Sequence, residues 1–481
     1  MRWKFLALLL LLSAGSQGCQ KEAASPAPPV PPAPVALPAL PAAQGAPLTL
    51  ALHPGQPGRP LPANFAGLSF EMGAITNPAY FNAANPVFAN LINGLGPGLL
   101  RIGGNSVDRT AWSGQARRAT TPADSITTTD VDRFAAFVQQ LSMPVLFGVN
   151  LAARDIPRAT AEIRYVSQAL GPRLVGCEVG NEPNDYHSNG IRTASYTPGD
   201  YVADFNAYYA AIHPLLPGLA FSGPATDLSG NWASTFAAGT AGKINLLTTH
   251  FYEAGPASNP SITIATLIGL PARDAAMSTT TSALAQAANL PYRVAETNSI
   301  YGGGKAGVSN TLAAGLWGAR LMWQLAAHNA AGVNFHGGGN GAYTPIALVN
   351  GQFVARPLYY GMLLFKAGSQ GRYEPVDLSI TALNVQAFAS LGADGSQTVT
   401  VFNFESATPV SLTVAAGQAV SAVAMQRLTG AGLDATDGIT LGGQAVAADG
   451  TFSPASTSYG ASGSSFVVNV PAASAVVFTC K

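Results

Sequence analysis

Two glutamates sit where a carboxylate could do chemistry. In "VGCEVGNEPNDY" (175–186) a run of apolar and small residues leads into Asn181-Glu182, and Pro183 stands directly behind. Proline has no N–H to give a strand ladder, so the strand must stop there, leaving Glu182 at its last position or just past it. In "YRVAETN" (292–298), Glu296 closes a second such run. Only 10% of the residues are charged, which weakens the reading of either glutamate as an ordinary solvated charge. Two carboxylates that face each other can divide labour. One, kept protonated, hands a proton to a leaving oxygen, while the other attacks the carbon or activates water, which is the chemistry of glycosidic bond cleavage.

The elements that would position them follow from the hydrophobic pattern. Strand-like runs occur at 65–72, 99–105, 144–150, 173–181, 220–225, 245–252, 292–298 and 331–338. Helical patterns lie between them. Val131, Phe134, Val138 and Leu141 recur at helical spacing behind Asp130, read as the cap, and Val202, Phe205, Tyr209 and Ile212 repeat that spacing after Pro198-Gly199-Asp200. This alternation predicts a (β/α)8 TIM barrel. A doubly wound sheet is the alternative, but no glycine-rich dinucleotide turn follows the first strand. In a barrel, the C-terminal strand ends ring one face, and Glu182 and Glu296 would end strands four and seven on it.

Beyond "RPLYYGMLLF" (356–365) the pattern becomes alternating or continuously apolar, broken by glycine-rich turns, and predicts an all-β sandwich. "LTLALHP" (48–54) also reads as a strand and is expected to join it.

Lys+Arg and Asp+Glu are 24 each in 481 residues, so no basic field exists to hold nucleic acid. The three cysteines, Cys19, Cys177 and Cys480, form neither a disulfide framework nor a zinc-ligand set. Cys177 and Cys480 read as a buried strand thiol and a C-terminal leftover. No cofactor or metal is implied. Arg2 and Lys4 precede the apolar run Leu6 to Leu12, too short to span a bilayer, and "SQGC" (16–19) follows. That stretch resembles a bacterial lipobox whose cysteine, Cys19, carries the lipid, although Ser16 stands where Leu or Val is usual. An ordinary secretion signal is the alternative. Residues 20–47 are rich in proline and alanine and read as an extended spacer. The expected layout is a signal peptide (1–18), a lipid-anchor cysteine and linker (19–47), a catalytic barrel (60–350), and a β-sandwich from 48–59 and 351–481. The protein is expected to be secreted or at the cell surface, as a bacterial lipoprotein of the periplasm or outer membrane.

Four stretches resemble glycoside hydrolase family 79, the retaining β-glucuronidases and heparanase relatives: "LRIGGNS" (100–106), "EVGNEPNDY" (178–186), "AETNSIYGGGKAGVSNTLAAGLWGARLMW" (295–323) and "GVNFHGGGNGAYTP" (332–345). The resemblance implies that Glu182 is the acid/base and Glu296 the nucleophile. It implies that Asn181 bonds the sugar 2-hydroxyl, that Tyr252 orients the nucleophile, and that Asn105 contacts the sugar. The uronate carboxylate would be held by Tyr301, the N–H groups of Gly302 and Gly303, and Tyr343. Physical chemistry agrees: glycines let backbone amides approach an anion, and neutral donors bind it without stabilising the acid/base as its anion. "YGGGK" also reads as a plain flexible loop. His336 reads as a sugar-site or barrel histidine, Arg101 as a group that fixes the nucleophile, and Lys305 as an anion-site aid or a solvated charge. Trp112 and Trp232 read as sugar-stacking candidates, Trp317 as core.

The implied activity is exo-hydrolysis of terminal β-glucuronic acid, with or without a 4-O-methyl group. The alternatives are an endo-acting enzyme on uronate polysaccharide, against which the scarcity of Lys and Arg argues, and a silent glycan-binding lipoprotein, against which the presence of both glutamates argues.

Overall fold

The computed structural model describes residues 37–269 and 271–481. The signal segment, Cys19 and most of the spacer lie outside the described residues.

Eight parallel strands form the barrel: β1 Ala66–Glu71, β2 Leu100–Gly103, β3 Val145–Val149, β4 Leu174–Val179, β5 Ser222–Thr226, β6 Leu246–Ala254, β7 Tyr292–Ile300 and β8 Gly332–Gly337. Neighbours run β4-β3-β2-β1-β8-β7-β6-β5. The ring closes where Cys177 bridges Phe221, its N–H donating to the Ala220 carbonyl at 2.9 Å. Strands such as "VLFGV" are buried along their whole length, as expected when helices cover one face and side chains fill the other. The eight runs read from the sequence all became strands.

The helix caps correct the reading. Asp130 does not cap its helix. Thr127 does, and Asp130 sits three residues in, where its carboxylate accepts from the Thr127 N–H at 3.1 Å. Thr197 and Asp200 form the same reciprocal pair before the next helix. Thr-x-x-Asp satisfies two orphan N–H groups at once, which a lone Asp cannot do.

The C-terminal region packs two sheets over a shared apolar core. One joins strands 376–378, 46–52, 410–415 and 465–470, so the N-terminal strand Ala46–Leu52 lies between two C-terminal ones, parallel to Val410–Ala415. The other includes strands 385–391, 397–403, 474–480 and 422–429. The stretch assigned to this domain from 351 onward instead begins with the strand Gln352–Ala355, in a hairpin with Ile346–Val349, and then a helix, Pro357–Gly368, packed on the barrel helix Leu312–Ala327. Gly315 and Gly361 bring the two backbones together; a Cβ on Gly361 would lie 2.0 Å from the Gly315 carbonyl oxygen. The barrel layer therefore extends past 350.

Candidate active site

Glu182 lies three residues beyond β4. The chain leaves the strand through Gly180, and Glu182 itself takes a left-handed φ of 48° before Pro183–Asp185 make one tight turn. A non-glycine residue holds that conformation only when its surroundings over-determine it. Here the Glu182 N–H donates to the Ala225 carbonyl at 2.9 Å. Asp108, almost fully buried, anchors the same turn. One of its oxygens accepts from the Asn181 N–H (3.0 Å) and the Tyr186 hydroxyl (2.7 Å), and the other from the Leu151 and Ala152 N–H groups (2.9 and 3.0 Å).

Glu296 corrects the expectation of a strand end: β7 continues to Ile300, and Glu296 sits within it. Pairing with β6 shifts register between Val294 and Glu296, an irregularity of the kind that re-aims a side chain. Its Oε1 accepts from the Tyr252 hydroxyl at 2.8 Å and its Oε2 from Arg101 Nη1 at 2.9 Å. His336 Nδ1 stands 3.5 Å from the same Oε2.

Arg101 is fully buried and spends its whole fork on this face. Nε donates to Glu178 at 2.6 Å, Nη2 to the Asn181 side-chain oxygen at 2.9 Å, and Nη1 also to Ser69 at 3.2 Å. Thr248 donates to the other Glu178 oxygen at 2.7 Å. One planar cation thereby fixes groups from β1, β4 and β7, and between two carboxylates its own proton is held more tightly than usual.

Burial alone would raise the Glu296 carboxyl. The charges of His336, His250 and Arg101, with the Tyr252 hydrogen bond, outweigh it and hold Glu296 well below the usual carboxylate range. Glu182 has a different setting. It is part-exposed, and its Oε1 lies 2.8 Å from His250 Nδ1. One ligand atom each from Glu182, His250 and Glu296 lie within 4.8 Å of one another, so an oxygen of each carboxylate is that close to the other. Such a trio could in principle hold a cation. Here Glu182 is bonded to His250 Nδ1, and Glu296 to Tyr252 and Arg101, an arrangement fitted to proton transfer, while His250 Nε2 has no partner among the described residues.

The pair opens onto a cavity of about 1000 Å³ whose lining includes Asn105, Tyr252, Tyr301, Gly302, Gly303, His336 and Tyr343. Asn181 is buried beneath it, its side-chain N–H group donating to Asn105 at 3.4 Å. Tyr301 is 47% exposed at the rim. Gly302 and Gly303 have φ of 83° and 94°, and open space lies where a Cβ would stand. Among the described residues their N–H groups have no acceptor, whereas the Gly303 carbonyl accepts from the Tyr343 N–H at 3.4 Å. The Tyr343 phenol is pushed upward by burial and by the charge of Glu296, and so stays a neutral donor.

Other candidates fall elsewhere. Lys305 neither faces the anion loop nor stays free in solvent: its Nζ donates to the carbonyls of Asn259 (2.7 Å) and Ile262 (2.8 Å), tying the loop after β7 to the loop after β6. Trp112 packs on Tyr165 and Trp232 near Tyr196, neither lining the cavity. Trp317 is core. Cys177 and Cys480 are buried on strands.

Several groups escaped the sequence reading. His250 lies two residues before Tyr252 on β6, so strand alternation places both toward the barrel interior. Glu71 ends β1 as Glu182 was expected to end β4. Its Oε1 lies 3.6 Å from His336 Nε2, its Oε2 accepts from the Ser106 N–H at 2.7 Å, and it adds an acceptor to the cavity wall. Asp185 and Asp227 line the side beyond Glu182.

Residues 378–477 match the glycosyl hydrolase family 79 C-terminal beta domain. The chain is 28% identical over 376 residues to a beta-glucuronidase of Aspergillus niger, covering 69% of this chain and 68% of that protein. It is 29% identical over 218 residues to a beta-glucuronidase of Neurospora crassa, covering 40% and 39%. In fold it resembles a 4-O-alpha-L-rhamnosyl-beta-D-glucuronidase from Fusarium oxysporum, with TM-score 0.76 and 21% identity over 90% of this chain and all of that one. A family 51 arabinofuranosidase from Xanthomonas axonopodis superposes with TM-score 0.69 and 17% identity over the same shares. The resemblance to family 79 and the barrel-plus-β architecture read from the sequence are both borne out.

Proposed function

We propose that this family 79-like glycoside hydrolase is a retaining exo-β-glucuronidase that removes terminal β-linked glucuronic acid. The observation that carries the mechanism is the approach of the Glu182 and Glu296 oxygens to within 4.8 Å. Retaining enzymes hold their carboxyl groups about 5–5.5 Å apart, whereas inverting ones need roughly 6.5–9.5 Å to seat a water between them.

In the first step Glu296, already an anion, forms a bond to the anomeric carbon as the glycosidic bond breaks, and Glu182 gives its proton to the departing oxygen. In the second, Glu182, now a carboxylate, takes a proton from water. The water oxygen bonds the anomeric carbon, and Glu296 leaves with its electron pair. Tyr252 and Arg101 hold Glu296 in line, and His250 fixes the Glu182 carboxyl. The N–H groups of Gly302 and Gly303, with the Tyr301 and Tyr343 hydroxyls, donate to the C6 carboxylate. Asn181 and Asn105 meet sugar hydroxyls. The two β-glucuronidase relatives support the choice of sugar.

Exo action fits a chain with no excess of basic residues to track an anionic polymer. Tethering through Cys19 fits the sequence of the N-terminal segment. A Cys19→Ser variant that still fractionates with membranes, at unchanged specific activity, would remove the lipid-anchor reading.

Proton NMR of the first-formed sugar tests the mechanism. A β-glucuronide should give the β-anomer first, and initial α-anomer would mean inversion. A panel of aryl glucuronide, glucoside, galactoside and xyloside tests the sugar.

A further inference from the structure

Behind Tyr252, on the opposite side of β6, lies a closed polar cluster that the reaction does not use. Glu253, Asp274, Trp317 and Arg320 are all fully buried. Glu253 Oε2 accepts from Trp317 Nε1 at 3.0 Å. Asp274 Oδ2 accepts from Arg320 Nε at 3.0 Å and lies 2.8 Å from Nη2. Arg320 Nη1 donates to the Ile268 carbonyl at 3.1 Å, and its guanidinium lies 5.3 Å from the Phe404 ring centre, at the β domain. One oxygen of each carboxylate remains, Glu253 Oε1 and Asp274 Oδ1. Neither meets a donor among the described residues, and their partners Trp317 and Arg320 stand three residues apart on one helix, which sets the two carboxyl side chains side by side.

Two ionised carboxylates beside one arginine would leave a net negative charge and two unmatched acceptors in a dry site, which is costly. One proton removes both problems, because a protonated carboxyl is a donor. We propose that Glu253 is a neutral carboxylic acid whose Oε1–H donates to the Asp274 carboxylate, and that this clip is a positioning device for Tyr252. Burial, then the nearness of Asp274, push the Glu253 carboxyl upward, consistent with a neutral form. The groups facing it are few. Helix Pro271–Ala287 contributes Asp274 and, toward the cavity, Arg273. Helix Leu312–Ala327 contributes Trp317 and Arg320. On its own strand the Tyr252 hydroxyl turns away to Glu296. Arg273 donates to the Tyr252 carbonyl at 3.1 Å, so the helix grips β6 at two successive residues. The same helix carries Met277 and Thr280 of the cavity wall. The clip thus joins the strand that orients the nucleophile to a helix that forms part of the cavity wall. This rests on Tyr252 acting on Glu296, but the protonation state does not.

Glutamine reproduces the neutral acid: its carbonyl can accept from Trp317 and its N–H group can donate to Asp274. Glu253→Gln should therefore fold and keep kcat on an aryl glucuronide within about threefold at neutral pH, while Glu253→Ala, which leaves Trp317 and Asp274 unmatched, should lose at least about tenfold in kcat. The sign of the pH effect follows from the raised acid. The folded state keeps a proton that the unfolded chain releases near 4.5, so this contribution to stability is full below that pH and is lost as pH rises toward the folded value. Glu253→Gln should flatten the fall of melting temperature on the alkaline side. Infrared spectra in D2O at neutral pH should show a protonated-carboxyl carbonyl band in the wild type that Glu253→Gln loses. A band unchanged by Glu253→Gln, or a Glu253→Gln melting temperature as low as that of Glu253→Ala, would overturn the proposal whatever sugar the enzyme takes. If the band is lost but kcat of Glu253→Ala is unchanged, the positioning role is overturned.

Discussion

The Tyr252 hydroxyl donates to Glu296 Oε1 at 2.8 Å, so the oxygen that Arg101 leaves free is not loose. A nucleophile held at both oxygens cannot rotate away from the anomeric carbon, and an aligned attack is worth several orders of magnitude. Tyr252→Phe removes one bond to a charged group, a loss of about 1.5–3 kcal/mol. We expect kcat/KM on an aryl glucuronide to fall roughly 10- to 150-fold with little change in melting temperature. A drop below twofold would mean that Arg101 alone positions Glu296.

The acid/base role has its own signature. Glu182→Gln cannot protonate a leaving oxygen, but dinitrophenolate needs little help to depart. We expect a modest loss of the first step on dinitrophenyl glucuronide and a loss larger by about 10²-fold or more on an alkyl glucuronide. Glu296→Gln should abolish turnover of both, because no covalent intermediate can form. Equal losses for Glu182→Gln on the two substrates would remove it from the acid role.

Arg101 couples stability to chemistry. Removing it strands Glu178 and Glu296 as buried charges, a loss of about 3–5 kcal/mol. The depressed Glu296 carboxyl stabilises the fold above the unfolded carboxylate value, and that contribution is lost as pH falls through the depressed folded value. Arg101→Lys keeps a charge but not a fork, so it cannot reach Glu178, Glu296 and Asn181 together. We expect a lower melting temperature and an acidic limb of kcat/KM displaced upward, by about one unit if roughly 1.4 kcal/mol of the Glu296 interaction is lost. An acidic limb identical to wild type would show that other groups set it.

How far the sequence revealed this site depends on the range of the contacts. The strands were legible because burial on both faces writes continuous apolar runs, and Glu182 was legible because Pro183 must end one. Glu296 was read at a strand end but sits within β7: a register shift inside that strand leaves no mark in composition. His250 and Glu71 carried a signal that went unread, since strand alternation links His250 to Tyr252 and Glu71 closes the first strand. Asp108 and the Glu253–Trp317 bond were illegible. Their partners lie 43 to 78 residues away for Asp108, and no local pattern specifies such meetings. Lys305 misled for a similar reason, because a lysine beside three glycines suggests anion binding until its ammonium is seen on two carbonyls of another loop.

The selectivity for a uronate is the last test. Gly302 and Gly303 offer N–H groups without acceptors among the described residues, and Tyr343 is a buried neutral phenol beside them. A site built for a charged group is penalised when that group is absent, because its donors stay unmatched. Aryl glucosides should therefore react at least about 10³-fold more slowly in kcat/KM than aryl glucuronides. Tyr343→Phe should lower glucuronide turnover and narrow that gap. Gly303→Val should do more harm, by two routes. Its φ of 94° is strained for any side chain, and the added bulk would stand at a residue that lines the cavity. Gly303→Ala separates the routes: it keeps the backbone strain but adds little bulk. If Gly303→Ala is as damaging as Gly303→Val and melts equally early, the loop acts through its backbone shape. If Gly303→Val loses far more glucuronide turnover than Gly303→Ala while the two melt at the same temperature, the loop acts by contact with the carboxylate, the result expected here. Equal rates on glucosides and glucuronides in the unmodified enzyme would mean that these amides do not read the C6 group at all.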